Sequence, residues 1–456
     1  MNLANERVRL RRAPARGGFT IPGKGMAGWK ERSLLMAVLV CSGLPAAAAE
    51  LCTASAYGDG QGNIVVLGAP AAAPATGQRY LMVDGRRGAT GDANAPVSCS
   101  DDVVSFRSSA GATQRWQRLP TRDTDATFIS AGTKLVGQLI EPAGPADPTR
   151  PLVVLVHGSE RTMAAAAIYQ RMLVAQGISV FAYQKRGTGD SEGEYTQNFE
   201  LLADDAAAAL AKARELARGR FGRAGYFGGS QGGWIAPLAA TRSQADFVAI
   251  GFGLVVSPIE EDREQLFDEA RRMQLDATAM KQVGQLSDAT AQLMRTHFTE
   301  GFEALAKVRT QIGAAPWAKN ISGEYSGDML RMSDADLRRI GRARFDNLEL
   351  IWDYDAEAAL RRLKLPLLWV LAEQDRAAPI AATRSILSRL RASGQPIDTY
   401  LFPDTDHGMV EFRTDAEGNR VSTRITDGYL RLLADWIKQD VHGSYGRSRR
   451  LSEMKK

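Results

Sequence analysis

Histidine and cysteine are scarce in this chain of 456 residues, and the few that occur are scattered. There are four histidines and three cysteines, and none of them forms a Cys-x-x-Cys pair or a Cys/His cluster with the spacing of a metal site. The glycine-rich run at 183–193 lacks the Gly-x-x-x-x-Gly-Lys-[Ser/Thr] pattern of a phosphate-binding loop. The sequence therefore predicts no metal, nucleotide or redox cofactor.

Excess positive charge is missing from most of the chain. The formal net charge is +5, but residues 1–32 carry +6 and residues 441–456 carry +4, so the body between these two ends carries −5. A nucleic-acid groove needs a basic face, and we expect no nucleic-acid partner. The basic tail at 441–456 is expected to be a solvated, frayed end.

A run of apolar residues long enough to span a bilayer is also missing. The run at 34–44 is short, follows Lys30 and Arg32, and precedes the small residues at 47–49, which is the pattern of a signal peptide. We expect residues 1–49 to be an N-terminal extension with a signal peptide, starting at Met26 or carrying a long n-region. The mature chain would then be periplasmic or secreted, without a stable membrane span. An N-terminal membrane anchor is the alternative.

Two cysteines remain once Cys41 leaves with the signal peptide. Cys52 and Cys99 form an even pair in an exported chain, which predicts one disulfide. Two buried, unpaired thiols are the alternative.

The pattern of apolar residues divides the chain into several segments. Short strand-like runs between glycine, proline and serine clusters predict a small β-rich module at 51–120. Alternating apolar strands and amphipathic helices at 125–257 and again at 356–440 predict an α/β core, a doubly wound and mostly parallel sheet. The charged, helical stretch at 258–355 predicts a cap inserted over the carboxyl edge of that sheet.

The central motif is Gly228-Gly229-Ser230-Gln231-Gly232, placed between a predicted strand and a predicted helix. A strand, a sharp turn and a helix are what a nucleophile elbow needs, because they raise the serine hydroxyl above the sheet. Small neighbours such as Gly228 and Gly232 make room for the strained turn. The alternative is a glycine-rich loop without a catalytic role.

A serine nucleophile needs a histidine as base and an acid that orients this histidine. After a nucleophile elbow, the acid comes first along the chain and the histidine second. His407 lies in the loop after the last predicted strand, and Asp375 directly follows the strand before it. Glu373 is the nearest rival to Asp375. Asp404 and Asp406 flank the histidine and are expected to shape its loop or to be solvated.

Two backbone N–H groups are needed to bind the oxyanion of an acyl intermediate. One is expected from Gln231, the residue after the nucleophile. The other is expected from the turn at His157-Gly158-Ser159, either from Ser159 or from Glu160. His157 is interpreted as a structural histidine of that turn.

Together these segments resemble the serine hydrolases of the α/β-hydrolase fold. The runs "VLVHGS", "YQKRGTGDSEG", "GYFGGSQGGW", "LLWVLAEQD" and "DTDHGM" carry the resemblance, which covers about 125–440. The group of serine-aminopeptidase-like, lysophospholipase-like and acyl esterase enzymes is the most similar. The resemblance implies a triad of Ser230, Asp375 and His407, and a structural role for Arg186 and Gly187. Glu160 and Arg161 depart from the glycine that often follows in this family.

The expected function is hydrolysis of a small-molecule ester or acyl substrate through an acyl-enzyme on Ser230. A peptidase that releases N-terminal residues, an acyltransferase and a thioesterase use the same machinery and remain open. A peptidase would need acids for the substrate amine, and the cap offers Glu260, Glu261 and Asp262, although such helical acids are usually solvated. A non-catalytic binding protein is the remaining alternative, and the oligomeric state is not predicted.

Overall fold

The computed structural model describes residues 51–72, 75–100, 103–161 and 164–451. The expected signal peptide, its start at Met26 and Cys41 lie outside the described residues. Within the described part, no helix has the length and apolar character needed to cross a membrane.

The N-terminal segment forms one antiparallel sheet of seven short strands in the order β4-β3-β2-β1-β7-β6-β5. A disulfide joins Cys52 to Cys99 across this module, as the even cysteine pair predicts. Trp116 is buried in its core and stacks on Phe106 with ring centroids 4.9 Å apart. The strands are β1 (Ala56–Gly58), β2 (Ile64–Pro70), β3 (Gln78–Met82), β4 (Arg87–Ala89), β5 (Val97–Ser100), β6 (Val103–Arg107) and β7 (Thr113–Arg118).

The larger sheet has nine strands in the order β19-β15-β14-β13-β12-β10-β11-β9-β8. The six strands β10 to β15 run parallel to one another. The antiparallel hairpin of β8 and β9 forms one edge of the sheet, and the short antiparallel strand β19 forms the other. The strands are β8 (Thr121–Ser130), β9 (Thr133–Pro142), β10 (Leu152–Val156), β11 (Ser179–Tyr183), β12 (Ala224–Gly229), β13 (Phe247–Gly251), β14 (Leu367–Ala372), β15 (Ile397–Phe402) and β19 (Arg449–Arg450). The core sheet thus starts at Thr121, earlier than the expected residue 125.

Helices cover both faces of this sheet, which is why its central strands consist of apolar residues that are buried throughout. Helices α1 and α11 pack on one face, and α2, α3 and α10 pack on the other. The predicted fold class, a doubly wound sheet with a helical insertion and a β-rich module, is confirmed. The helices are α1 (Ala164–Ala175), α2 (Phe199–Leu216), α3 (Gly232–Ala240), α4 (Pro258–Arg272), α5 (Ala277–Arg295), α6 (Phe302–Ile312), α7 (Ser326–Arg331), α8 (Asp334–Phe345), α9 (Ala356–Arg362), α10 (Ala381–Ala392) and α11 (Tyr429–Lys438).

The β-rich module shares a hydrophobic core with the larger sheet. Its residues Ile64, Val66 and Leu81 belong to the same buried cluster as α1 and α11. The backbone N–H of Ile425 donates a 3.0 Å hydrogen bond to the carbonyl oxygen of Gly85. The module therefore forms one compact unit with the larger sheet.

Helices α4 to α8 fill the segment expected to form the cap. The acids at the start of α4 are not all solvated, because Asp262 is buried and accepts hydrogen bonds from the backbone of Tyr325 and from Ser326. The expectation of an exposed charge run is wrong for Asp262, which instead ties α4 to α7. The side-chain amide of Gln265 donates to the carbonyl oxygen of Ala377, which brings α4 to the loop that follows β14.

Two further differences concern the end of the chain. The segment before α11, expected to be a loop, contains a small antiparallel sheet of β16 (Thr405–Asp406), β17 (Val410–Thr414) and β18 (Arg420–Ile425). The tail is not frayed over its described part, because β19 pairs with β15 and Tyr445 is buried. Arg449 pairs with Glu373, and Arg450 pairs with Asp398. These two arginines of the tail, expected from composition to be solvated, therefore contact carboxylates.

Candidate active site

Ser230 stands in the sharp turn between β12 and α3, at the carboxyl edge of the sheet. Its φ angle is 52°, in the left-handed region that non-glycine residues rarely adopt. The turn is held by a 3.1 Å hydrogen bond from Ser230 N–H to the carbonyl oxygen of Gly251 and by a 2.8 Å bond from Gly233 N–H to Ser230. The backbone thus stores strain at the residue that the sequence predicts as nucleophile.

The glycines around Ser230 are required by close packing. A Cβ atom on Gly232 would lie 2.9 Å from the carbonyl oxygen of Val156 in β10, and one on Gly228 would lie 2.7 Å from the carbonyl oxygen of Gly232. Neither position has room for a side chain. The turn is therefore seated directly on the neighbouring strand.

His407 reaches Ser230 from the short turn that follows β16. Its Nε2 atom lies 3.2 Å from the Oγ atom of Ser230. The ring of Phe252 packs edge-on against the imidazole, with ring centroids 5.1 Å apart. This contact limits the rotation of the imidazole, so its orientation toward Ser230 is fixed by packing as well as by hydrogen bonds.

Asp375 lies at the carboxyl end of β14 and holds the other side of the imidazole. Its Oδ2 atom is 2.9 Å from Nδ1 of His407, and its side chain is fully buried. Its Oδ1 atom accepts hydrogen bonds from the backbone N–H groups of Ala377 and Ala378, at 3.0 and 2.7 Å. Ser230, His407 and Asp375, called the triad below, therefore form one continuous chain of hydrogen bonds.

The rivals to Asp375 have other partners. Glu373 pairs with Arg449, and Asp404 pairs with Arg447. Asp406 accepts a hydrogen bond from the backbone N–H of His407 and pairs with Arg420 at 2.6 Å. These contacts shape the loop, which is the role expected for Asp404 and Asp406.

The charge of Asp375 controls the protonation of His407. Burial alone would lower the pKa of His407, but the adjacent carboxylate of Asp375 outweighs it, so the pKa is raised above its usual value. The charges of Asp406 and Glu324 raise it further. The site thus favours the imidazolium form that appears when His407 takes a proton from Ser230.

The turn at 157–160 follows β10 and lies beside the triad serine. His157 is buried, and its Nε2 atom is hydrogen-bonded to the carbonyl oxygen of Tyr183 at the end of β11. Its Nδ1 atom lies 3.7 Å from the carboxylate of Glu160. The structure therefore places His157 as a bridge between the turn and the neighbouring strand, as the sequence interpretation expects.

Two side chains from the loop after β11 hold the carbonyl groups of this turn. The ammonium group of Lys185 donates to the carbonyl oxygen of Gly158, and the phenol of Tyr195 donates a 2.7 Å bond to the carbonyl oxygen of Ser159. In a trans peptide group the C=O and the following N–H point in opposite directions. The N–H of Ser159 therefore points away from Lys185.

Glu160 carries its charge beside this turn. Burial would raise the pKa of its carboxyl group, but the neighbouring imidazole of His157 and the positive charge of Lys185 outweigh burial and lower the pKa to about 2. The carboxylate also lies close to the backbone of the turn, since a Cβ atom on Gly158 would lie 2.5 Å from Oε2 of Glu160. Ser159 and Glu160 both remain candidates for the second oxyanion donor.

Arg186 and Gly187 fix the loop that carries Lys185 and Tyr195. The guanidinium of Arg186 makes two hydrogen bonds, of 2.9 and 2.6 Å, to the buried carboxylate of Asp205 in α2. Gly187 has a φ angle of 68°, and a Cβ there would meet the backbone N of Tyr195 at 2.2 Å. Both residues thus have the structural role that the family resemblance implies.

The sequence interpretation missed Lys185, Tyr195 and the cap residue Glu324. Lys185 lies in the run at 183–193, which was quoted for its glycines, and Tyr195 lies just after it. Glu324 has no motif around it. Burial and the nearby charges of Glu324 and Asp375 raise the pKa of Glu261 well above its usual value, so both cap acids lie close to the triad.

Residues 147–294 match the family model described as serine aminopeptidase, S33, which is a family of hydrolases. No curated protein sequence matches the chain. The described residues contain no cluster of histidine, cysteine and acidic side chains that could hold a metal ion.

Solved structures of several esterases are similar to this chain at low identity. An esterase of Pyrococcus furiosus is 14% identical, covers 63% of this chain and 84% of its own, and gives a TM-score of 0.39. Est1E from Butyrivibrio proteoclasticus, solved with ferulic acid bound, is 16% identical, covers 69% and 96%, and gives 0.37. An esterase of Pyrobaculum calidifontis is 16% identical, covers 70% and 85%, and gives 0.39. Likeness at this level carries no information on the substrate of this chain.

Proposed function

We propose that this chain, which has an α/β-hydrolase fold and matches a serine hydrolase family over residues 147–294, hydrolyses carboxylic esters through an acyl-enzyme on Ser230. The observation that carries the proposal is the chain of hydrogen bonds from Ser230 through His407 to the buried Asp375, with distances of 3.2 and 2.9 Å. These three side chains come from three different loops at one edge of the sheet. Such an arrangement activates a hydroxyl group that is otherwise a poor nucleophile.

In the first half of the reaction, Oγ of Ser230 attacks the acyl carbon while Nε2 of His407 takes the hydroxyl proton. The tetrahedral intermediate collapses when His407 returns this proton to the departing alcohol. In the second half, His407 takes a proton from water while the water oxygen attacks the acyl carbon. The acyl–Oγ bond then breaks, and His407 returns the proton to Oγ of Ser230, which releases the acid and the free serine. Asp375 holds the imidazole in the required orientation and stabilises its charged form.

The oxyanion would be bound by the backbone N–H groups of Gln231 and Ser159. Gln231 precedes the first turn of α3, where N–H groups have no intrahelical partner and the helix dipole favours negative charge. The N–H of Ser159 is oriented by the bond from Lys185 to the carbonyl oxygen of Gly158 in the same peptide group, and Tyr195 holds the peptide group that follows. A pair of such donors is worth several kcal/mol to the transition state.

An ester asks less of this machinery than a peptide does, because an alkoxide is a better leaving group than the nitrogen of an amide. We propose a small-molecule ester as substrate for this reason.

Labelling with a fluorophosphonate tests the activated serine directly. We expect one covalent label on Ser230, located by mass spectrometry, and none in a Ser230→Ala chain. The substitution His407→Ala should slow the labelling of Ser230 by several orders of magnitude. A chain that stays unlabelled while its circular dichroism spectrum is that of a folded protein would contradict the proposal and favour a non-catalytic binding protein.

A peptidase that removes N-terminal residues is the second candidate, because Glu261 and Glu324 place two carboxyl groups close to the triad. The ammonium group of a peptide N-terminus would relieve the repulsion between them. Of the three cap acids considered from the sequence, Glu261 is the one in this position, since Glu260 is exposed and Asp262 is buried against Ser326.

Matched substrates separate the two candidates. An esterase should turn over p-nitrophenyl acyl esters at rates far above those for aminoacyl-p-nitroanilides, and Glu261→Gln should leave the ester rate nearly unchanged. A peptidase should prefer the anilides with a free amine, and Glu261→Gln should raise the KM for them. Blocking the substrate amine by acetylation would then abolish turnover.

We propose further that the chain is exported. The disulfide between Cys52 and Cys99 supports this, because such bonds persist in oxidising compartments and are rare in the cytosol. N-terminal sequencing of the protein secreted by its host would test it, with a mature start close to residue 50 expected.

A further inference from the structure

A cleft of about 380 Å³ is lined in part by Asp375 and by the residues next to it in the chain, Gln374 and Arg376. The cap contributes the last turns of α4 to its wall. The core contributes the loop after β14 and the start of α10, together with Arg420 of β18. The cleft thus lies where the cap meets the core.

Five arginines and four acidic residues line this cleft, and the way they pair leaves positive charge in excess. Arg272 pairs with Asp268 at 2.9 Å, and Arg420 pairs with Asp406 at 2.6 Å. Within the described part of the chain, the guanidinium groups of Arg376 and Arg384 have neither an ion pair nor a hydrogen bond. The lining acids other than Glu264 are engaged with arginines or with His407.

Arg376 lies close to other arginines of the cleft. Burial lowers the pKa of Arg376, and the positive charges of Arg420 and Arg272 lower it further. Glu264 makes no hydrogen bond or ion pair among the described residues, although the positive charge of Arg271 acts on its carboxyl group. Guanidinium groups this close to one another are stabilised when an anion lies between them.

The start of α10 adds backbone donors on the same side. The helix begins at Ala381, its N-cap Ile380 offers no side-chain hydrogen bond, and its first turn contains no acidic residue. The residues Pro379, Ile380 and Ala381 line the cleft, so the uncapped N–H groups and the positive end of the helix dipole are at its wall. Arg384 lies in the same first turn.

We propose that this cleft binds a small oxyanion, a phosphate or a carboxylate group, between Arg376 and Arg384 at the N-terminus of α10. A planar guanidinium donates two parallel hydrogen bonds to such an anion, and the helix N-terminus donates backbone N–H groups to it. The anion would bridge charges of the cap and the core next to the loop that holds Asp375. The cleft shares Asp375 with the triad, but the proposed anion ligands Arg376 and Arg384 supply no group to the acyl transfer.

Calorimetric titration with inorganic phosphate tests the site on the full chain carrying Ser230→Ala, so that the result does not depend on activity. We expect saturable binding at millimolar phosphate, and a loss of affinity of at least about tenfold in Arg376→Gln and in Arg384→Gln, since each removes a charge-assisted pair. Arg218→Gln is the matched control, because it removes one exposed arginine that has no partner among the described residues and lies far along the sequence from the cleft. It should bind phosphate as the parent does.

Absence of saturable binding in the parent would overturn the proposal, and so would an equal loss of affinity in Arg218→Gln. Thermal unfolding in phosphate-free buffer shows whether the variants remain folded, and phosphate should raise the Tm of the parent and of Arg218→Gln alone.

Kinetics of the active chain distinguish an anion that is part of the substrate from one that is a separate effector. If the anion is part of the substrate, phosphate and Arg384→Gln should both raise the KM for an ester with a terminal carboxylate and leave a neutral ester unchanged. If it is a separate effector, phosphate should change the turnover of both esters by the same factor, and Arg384→Gln should abolish that change.

Discussion

The phenol of Tyr195 donates a 2.7 Å hydrogen bond to the carbonyl oxygen of Ser159, and so fixes the orientation of the turn beside Ser230. Because the guanidinium of Arg161 stacks on the same ring at 3.9 Å, the phenol is held on its aromatic face as well. The side chain that holds the peptide group next to the proposed donor, the N–H of Ser159, thus comes from a different loop than the donor itself.

Tyr195→Phe should lower kcat by about tenfold, less than the loss of a whole oxyanion donor, with little change in KM. The reason is that the ring and its stacking remain while the bond that orients the turn is lost. The measurement is steady-state turnover of a p-nitrophenyl ester. An unchanged kcat would show that Lys185 alone is enough to hold the turn.

Asp375→Asn and Asp406→Asn should differ strongly in their effects. The first removes the charge that orients and stabilises His407, and kcat should fall by about 10⁴-fold. The second removes a partly exposed ion pair with Arg420, and kcat should fall by less than about tenfold. Measuring both variants under the same conditions checks the assignment of the acid. The opposite ranking would assign that role to Asp406.

Glu324→Gln should move the acid limb of the pH profile of kcat/KM to lower pH. The charge of Glu324 raises the pKa of His407, and His407 must be neutral to accept the proton of Ser230. Removing that charge lowers the pKa, so the neutral imidazole persists at more acidic pH. Glu260→Gln is the control on the same cap, since Glu260 is exposed and does not act on His407. Equal shifts in both variants would contradict the specific role of Glu324.

The parts of the site that the sequence predicts are those that depend on local order along the chain. Ser230 is recognised because a strand, a glycine-rich turn and a helix follow one another, and His407 and Asp375 because each directly follows a predicted strand. Tyr195, Lys185 and Glu324 could not be assigned in this way, because their partners come from other loops and from the cap. The tail was misread for a related reason, since composition records the charges of Arg449 and Arg450 but not the carboxylates of Glu373 and Asp398 that they meet.

The buried ion pair between Arg186 and Asp205 should matter for stability more than a surface pair on the same helix. Arg186→Met leaves the carboxylate of Asp205 buried without its partner, which should cost about 3–5 kcal/mol of unfolding free energy. Arg242→Met, which breaks the more exposed pair with Asp204, should cost less than about 1 kcal/mol. Urea denaturation of the two variants gives the comparison. Similar losses in both would mean that the burial of Asp205 is not what makes its pair important.

The disulfide should stabilise the β-rich module without affecting the reaction. Cys52 and Cys99 are separated by 47 positions, and closing a loop of this length removes enough freedom from the unfolded chain to stabilise the folded one by about 4 kcal/mol. A chain with both cysteines changed to alanine should therefore unfold at lower temperature, while its kcat at 25 °C stays close to that of the parent. The kinetic half of this prediction follows from the position of the disulfide, because Cys52 and Cys99 belong to the module's own core and the contact with β18 is made by Gly85. A fall in kcat with unchanged Tm would contradict it, and would assign the module a direct part in shaping the site.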